Sequence, residues 1–171
     1  VSALISTWSY GGQIVAPLAE RAKIPHIGVA WDNRVAKGRY NFLHLTPPSE
    51  FMKRFLDVFK AQGIKRVALL GIEESGSVFA LNEFIRLAPE YGVEVVFRDS
   101  VNWDMKDFNS LAAKITASKP EYLLYNLGGD QLSLPLLKSL KSMKATFKVT
   151  AITSFDVISD LSQVEGSWYV S

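Results

Sequence analysis

The chain lacks cysteine, long apolar runs and a large excess of charge of either sign. Without cysteine, its 171 residues form no disulfide, no thiolate zinc site and no thiol nucleophile. No apolar run approaches the ~20 residues that a membrane-spanning helix needs. The 19 basic and 17 acidic residues leave a net charge of +2. Nucleic acid is therefore not expected as a partner, because phosphate neutralisation needs clustered Lys and Arg.

Motifs of catalysis and of nucleotide binding are also missing. Gly11-Gly12 has the spacing of neither a dinucleotide-binding nor a P-loop motif, and Ser75-Gly76-Ser77 is not a G-x-S-x-G elbow. His26 and His44 both fall within strand-like segments, and neither has a Ser or Asp at a spacing that indicates a triad. We therefore expect no catalytic residue, no cofactor and no metal ion.

The sequence does contain an alternation of short apolar runs and amphipathic segments. The run 67–71 is uniformly apolar, which predicts a strand covered on both faces, and residues 93–97 and 40–46 predict two further strands. Such alternation is typical of α/β folds with parallel sheets flanked by helices. With 48% apolar residues, the chain is able to bury the core of one large domain or two small ones.

Several polar and proline residues predict where helices begin. Asp107 is expected to cap the helix that follows it, and Ser49 the helix after Pro47-Pro48. Pro17 falls inside a helical pattern, so we expect an irregular first turn or a late start there. The stiff Pro47-Pro48 pair predicts either a crossing between two lobes or a surface loop within a single domain.

Residues 6–13 are the first candidate for a binding turn, because they lead from an apolar run into a helical pattern. Hydroxyls and glycines there leave backbone N–H groups at the positive end of the helix dipole, which suits a carboxylate. Alternatively, Ser9 is a plain N-cap. Ligands of open parallel sheets lie beyond the carboxyl ends of the strands. Similarly small or polar residues follow the other strands at 30–33, 71–76, 126–130 and 153–154.

Asp32 is the acidic residue of greatest interest, since it follows a strand and stands beside Trp31. Its carboxylate is expected to bind an ammonium with the indole face assisting, or alternatively to cap the following segment.

One helix N-terminus contributes ~0.3–1 kcal/mol to anion binding and one charged hydrogen bond ~1.5–3 kcal/mol. Micromolar affinity needs about 8 kcal/mol, so a second surface has to close over the ligand.

Six segments follow the Ser/Gly-rich turn in this order: Ala16-Pro17-Leu18-Ala19-Glu20, Ile24-Pro25-His26-Ile27, Arg66-Val67-Ala68-Leu69-Leu70, residues 107–115 (DFNSLAAKI), Lys119-Pro120 and Glu165-Gly166-Ser167-Trp168-Tyr169-Val170. In order and spacing, the turn and these segments resemble the extracellular ligand-binding proteins of ABC transporters for branched-chain amino acids and related compounds. The similarity covers essentially all 171 residues.

This resemblance implies an incomplete copy of the two-lobe type I periplasmic-binding fold. Residues 1–46 would end the first segment of lobe one, residues 47–48 would cross between the lobes, and residues 49–171 would form most of lobe two. Because the chain begins at Val1 in a strand-like run, we expect it to be part of a longer protein. The resemblance implies a non-enzymatic protein of the periplasm or extracellular space. Such a protein binds an amino acid, amide or organic acid and delivers it to an ABC transporter permease.

The resemblance also implies which residues bind the ligand. In the family, an aromatic residue is common at the positions of Gly76 and Gly128, and an acid that holds the ammonium is common at the position of Thr153. Because this chain lacks all three, we expect a ligand other than a standard aliphatic amino acid. A sensory ligand-binding domain and an α/β nucleotide-dependent enzyme remain alternative functions. The expected ligand-binding residues are Ser9, Tyr10, Gly11, Ala30, Trp31, Asp32, Gly76, Gly128 and Thr153.

Overall fold

The apolar runs form two separate parallel sheets in the computed structural model, which describes residues 1–152 and 158–170. The first sheet contains β1 (Leu4–Thr7), β2 (His26–Val29) and β3 (Asn41–Leu43), paired in that order. Helix α1 (Ser9–Ala22) connects β1 to β2, and a 3-10 helix (Asn33–Ala36) connects β2 to β3. We call these elements the N-terminal unit.

The second sheet and its helices form the C-terminal unit. Its helices are α2 (Pro48–Ala61), α3 (Ser75–Leu87), α4 (Phe108–Ala117) and α5 (Gly129–Ser142), with 3-10 helices at Ala88–Tyr91 and Leu161–Val164. Its strands are β4 (Arg66–Ile72), β5 (Glu94–Val101), β6 (Tyr122–Asn126), β7 (Lys148–Ile152) and β8 (Trp168–Val170). The parallel strand order is β5-β4-β6-β7-β8, so the predicted class, parallel sheets flanked by helices, is confirmed.

Strand β4 has a hydrophobic core on each of its faces. Val67 and Leu69 pack into the core formed with α2 and α3. Ala68 and Leu70 pack into the core formed with α4 and α5, because successive side chains of a strand point to opposite faces. The prediction of a strand covered on both sides is therefore confirmed, and the position of the strand between two helix layers explains its uniformly apolar sequence.

Helix α1 does not have the irregular start that Pro17 predicts. It begins at Ser9 and runs through Pro17 to Ala22. Pro17 is exposed, so the hydrogen bond that a proline cannot donate is missing only on the solvent side, where helices tolerate a slight bend. Packing of the buried face, which includes Ala16 and Ala19, outweighs this local cost.

Helix α2 begins one residue before the expected cap. Pro48 is its first residue and Pro47 its N-cap position, so Ser49 is not the cap. Proline suits the first helical position because its φ is already helical and its missing N–H needs no partner there. The prediction for α4 is confirmed: the Asp107 carboxylate accepts a hydrogen bond from the backbone N–H of Ser110 at 3.0 Å.

Candidate functional site

One cavity lies between the two units, at the carboxyl ends of strands from both sheets. Its volume is about 510 Å³, within the range of roughly 300–1,000 Å³ that small-molecule sites occupy. We call this cavity the cleft. The N-terminal unit and the segment after β3 line it with Trp8, Ser9, Val29, Ala30, Trp31 and Leu45, and the C-terminal unit lines it with Ile72, Glu74, Gly76, Ser77, Trp103, Asn126, Leu127, Gly128 and Gly129.

Five of the nine residues expected to bind the ligand line this cleft, namely Ser9, Ala30, Trp31, Gly76 and Gly128. Tyr10 and Gly11 instead line an adjoining cavity of about 390 Å³. Asp32 lies in the wall of a third cavity, which Glu74 and Ser75 also line. Thr153 lies outside the described residues.

Ser9 connects the start of α1 to the loop after β2. Its Oγ accepts hydrogen bonds from the backbone N–H groups of Trp31 at 3.2 Å and Asp32 at 3.3 Å. Ser9 is not the N-cap, because Trp8 holds that position and no side chain caps the helix. A hydroxyl that accepts hydrogen bonds still carries one proton to donate, so Ser9 brings a donor to the cleft.

The N-termini of α1, α3 and α5 all reach the cleft, since Ser9, Gly76 and Gly129 line it. Glu74 caps α3: its Oε2 accepts from the N–H groups of Gly76 at 2.8 Å and Ser77 at 3.1 Å. Helix α5 has no side-chain cap. Helix α1 likewise has no side-chain cap, and the first turn of α5 itself carries the carboxylate of Asp130. Backbone N–H groups for an anion therefore remain at the starts of both α1 and α5.

Of the two roles expected of Asp32, the structure shows the cap of the following segment. Its buried carboxylate accepts hydrogen bonds from the Arg34 side chain, from the Arg34 backbone N–H at 2.9 Å and from Gln13 Nε2 at 2.8 Å. Burial alone would raise the pKa of Asp32, but the Arg34 hydrogen bonds and charge outweigh it and lower the pKa below 3.8. Asp32 caps the 3-10 helix, and an ammonium at its carboxylate would have to displace Arg34.

Hydrogen bonds and aromatic contacts join the two units around the cleft, and Trp31 packs on Phe51 of α2 with their ring centroids 5.8 Å apart. The Tyr10 N–H donates to Glu74 Oε1 at 3.2 Å, and Gln13 Nε2 donates to Ser75 Oγ at 2.9 Å. The indoles of Trp8 and Trp103 meet edge to face with their ring centroids 6.2 Å apart. The structure therefore has the two units closed against each other.

The two histidines differ in ways that their sequence positions did not indicate. His44 is exposed and lies beyond β3, so it is not a strand histidine. His26 is fully buried in β2, with Nε2 2.8 Å from Ser6 Oγ and Nδ1 2.8 Å from Asn41 Oδ1. This Ser-His-Asn chain has the connectivity of a triad, but none of its members lines the cleft. It satisfies buried polar groups in the N-terminal sheet.

Sequence reasoning missed Trp8, Glu74, Ser77, Trp103 and Asn126 in the lining of the cleft. Four of them fall in or beside strand-end segments that the sequence did indicate. Trp103 does not, because the strand before it was expected to end at residue 97, whereas β5 extends to Val101. The correct end of β5 is the signal that would have found Trp103.

Two classes of site are absent from the part of the chain that the structure describes. Residues 1–152 and 158–170 contain no group of three or more His, Asp or Glu side chains placed to hold a metal ion. Among the helices in these same ranges, none has the length and apolar character needed to cross a bilayer.

Comparison with known proteins gives one family match and many structural matches. The model of the family described as periplasmic binding protein matches residues 1–167. No curated protein sequence matches the chain significantly. An extracellular ligand-binding receptor from Rhodopseudomonas palustris HaA2 superimposes with a TM-score of 0.83 at 17% identity, over 99% of this chain and 49% of that chain.

Two further solved structures carry ligands. The solute-binding protein of an ABC transporter from Rhodopseudomonas palustris BisB5, in complex with 3,4-dihydroxy benzoic acid, has a TM-score of 0.76 at 21% identity, over 90% of this chain and 44% of that chain. An ABC transporter substrate-binding protein from Desulfitobacterium hafniense, in complex with Leu, has a TM-score of 0.77 at 18% identity, over 99% and 50%. The chain spans about half the length of these structural relatives. At these identities the solved structures establish the fold alone. The family match, by contrast, covers almost the whole chain. The chain therefore belongs to the periplasmic binding protein family, whose members bind solutes and are not enzymes.

Proposed function

We propose that this chain supplies most of the cleft of a solute-binding protein that captures a small carboxylate ligand and delivers it to the permease of an ABC transporter. Residues 1–46 would belong to one lobe and residues 49–171 to the other, with Pro47-Pro48 as the crossing between them. The protein would act in the periplasm or the extracellular space. The observation that carries the proposal is a cleft of about 510 Å³ lined by the strand ends of both units.

The lining favours a ligand with an apolar body and one carboxylate, such as an organic acid or an amino acid. Apolar surface is provided by Trp8, Trp31, Ile72 and Leu127. Burying an apolar group of the size of a leucine or phenylalanine side chain against such a surface gives about 1.5–3 kcal/mol. The described lining contains no Lys or Arg. The carboxylate would therefore be held by backbone N–H groups and hydroxyls rather than by a guanidinium.

The charge of Glu74 directs the carboxylate away from α3. Glu74 is the one ionisable acid in the described lining, and its oxygens are already bonded to α3 and to Tyr10. It neutralises the positive end of α3, so an anion gains more at the starts of α1 and α5, which have no side-chain cap. In this orientation the ligand carboxylate lies near Gly128 and Ser9, and its apolar body lies against the indoles.

The relatives with bound ligands agree with such a chemistry. One was solved with 3,4-dihydroxy benzoic acid and the other with Leu, and both ligands combine a carboxylate with an apolar body. For this chain we propose Ser9, Ala30, Trp31, Gly76 and Gly128 as ligand contacts. Tyr10, Gly11, Asp32 and Thr153 stay predictions from the sequence.

Isothermal titration calorimetry on the full-length protein tests the proposal. The panel is benzoate, 4-hydroxybenzoate, L-leucine and acetamide, with NAD and ATP as negative controls. We expect at least one carboxylate of the panel to bind, and Ser9→Ala to weaken its binding about tenfold or more because a hydrogen bond to a charged group is lost. Ser142→Ala removes an exposed hydroxyl at the end of α5 and should leave the affinity unchanged. Binding of NAD or ATP, or of no carboxylate in the panel, would contradict the proposal.

A further inference from the structure

Trp8 and Trp103 form an aromatic contact across the cleft, which we call the indole pair. Trp8 follows β1 of the N-terminal unit, and Trp103 follows β5 of the C-terminal unit. Their rings meet at an interplanar angle of 60°, the edge-to-face arrangement that aromatic rings favour. We propose that the indole pair is a specificity-determining wall that limits the ligand to a single ring or a short branched chain. This depends on the cleft being a solute site, as proposed above.

The position of the indole pair between two cavities is the main argument. The cleft of about 510 Å³ and the adjoining cavity of about 390 Å³ share three lining residues, namely Trp8, Glu74 and Trp103. Beyond this shared wall, the second cavity is lined by Tyr10, Gly11, Glu73 and Ser75. Removing one indole would connect the two cavities, so the pair determines how much length is available to a ligand.

The surroundings of Trp103 hold its ring in this wall. Gly128 leaves the space that the indole fills, because a methyl group built at Gly128 would overlap the six-membered ring of Trp103. Gln131 Nε2 donates a hydrogen bond to the Trp103 backbone carbonyl at 2.9 Å, which ties the loop after β5 to the first turn of α5. The same short segment that offers N–H groups to the carboxylate therefore also positions the indole.

The backbone of Trp8 holds the other ring in an unusual conformation. Trp8 has φ of 67° and ψ of 146°, a combination that side chains other than glycine rarely adopt. Its N–H donates to the carbonyl of Val29 at 3.0 Å, which fixes it against β2. The side chain is 57% exposed even though it contacts Trp103, so the fold retains a strained, half-exposed tryptophan at the rim of the cleft. Such strain is typical of functional sites.

In this proposal a ligand of one ring lies on the inner side of the wall, and a longer, fused two-ring ligand that points toward the second cavity meets the indole pair first. In the wild-type protein the larger ligand has to separate Trp8 from Trp103 or leave the units open. Truncation of Trp103 removes that requirement. The expected change is therefore one of selectivity between ligands of different length rather than a uniform loss of affinity.

The test compares benzoate with 2-naphthoate by calorimetry on the full-length protein and its variants. Trp103→Ala should shift the ratio of the two affinities toward 2-naphthoate by about 3- to 10-fold, the loss expected for an aromatic pair. Gly128→Ala should shift it in the same direction because the added methyl group displaces the ring, and Trp103→Phe should retain most of the wild-type ratio. Leu161→Ala, which truncates an exposed apolar side chain outside the cleft, is the control.

The outcomes separate this proposal from the one on which it depends. If wild-type protein binds benzoate and Trp103→Ala leaves the ratio unchanged, the indole pair does not set the ligand size and only that proposal fails. If Gly128→Ala shifts the ratio toward benzoate, the wall argument is also wrong. If wild-type protein binds no carboxylate of either size, the proposed ligand class fails and the role of the pair fails with it.

Discussion

Gly76 lies directly against Ser9 of the other unit, and replacing it with alanine should prevent the two units from closing fully. A methyl group built at Gly76 overlaps Ser9 Oγ from the other unit and also comes within 2.9 Å of Glu74 Oε2. Ser9 cannot move away at low cost, because its Oγ accepts hydrogen bonds from the N–H groups of Trp31 and Asp32. We therefore expect Gly76→Ala to weaken ligand binding.

The size of the effect follows from the cost of overfilling a packed contact. Inserting a methyl group into such a contact costs about 1–3 kcal/mol, which corresponds to about 5- to 150-fold weaker binding. The unliganded protein avoids the overlap with Ser9 by opening, and Glu74 Oε2, the end of a flexible side chain, is able to shift away from the methyl group. Alanine is also the better helix former, by about 1 kcal/mol in a helix interior, so the free energy of unfolding without ligand should not fall.

Calorimetry with the carboxylate that binds best, together with urea unfolding of the unliganded protein, measures both quantities. Ser9→Gly removes the atom that the methyl group meets, so a double-mutant cycle should show coupling between positions 9 and 76. Unchanged affinity in Gly76→Ala would refute the reasoning. So would losses that simply add in the double variant, because they would mean that the methyl group and Ser9 do not meet.

Three further predictions concern the contacts between the units, the core and the response to acid. Gln13→Ala removes the hydrogen bond to Ser75 across the units and should weaken ligand binding by about 0.5–1.5 kcal/mol in calorimetry. Phe59→Ala empties a fully buried site and should lower the urea-derived free energy of unfolding by about 3–5 kcal/mol. The pKa of Asp32 is lowered because hydrogen bonds from Arg34 outweigh the cost of burial. The contribution of Asp32 to stability should therefore be complete above pH 3.8 and be lost as the pH falls through the lowered pKa. The free energy of unfolding, measured in urea at several pH values, should decline less toward acid in Asp32→Asn than in the wild-type protein.

Local periodicity predicted the layered fold because each helix and strand is short and its burial follows directly from its position in the layers. The apolar run 67–71 reads as a doubly covered strand, and β4 has a core on each face. The spacing of Phe51, Phe55 and Phe59 likewise matches the buried face of α2. Predictions failed where two local rules compete, as at Pro47-Pro48, where a proline at the first helical position replaced Ser49 as the start of the helix.

The site was harder to predict because its residues interact over long sequence separations. A strand end indicated Asp32, but only the fold shows that Gln13 and Arg34 already occupy its carboxylate. Trp103 was missed since pairing with β4 extends β5 to Val101, beyond what its own residues indicate. Neither fact is encoded in a window of neighbouring residues.

Polar and aromatic groups near the strand ends fall into two classes that differ in what ligand binding can change. His26 is satisfied within its own unit by Ser6 and Asn41, so closure neither makes nor breaks its hydrogen bonds. The carboxylate of Glu74 and the indole of Trp103 instead meet groups of the other unit, and these contacts exist only when the units are together. A ligand shifts an equilibrium between open and closed forms only through interactions that differ between them. Binding and closure are therefore coupled through residues such as Glu74 and Trp103, which contact the other unit. The triad-like connectivity of His26 has no part in this coupling, because its hydrogen bonds are the same in both forms.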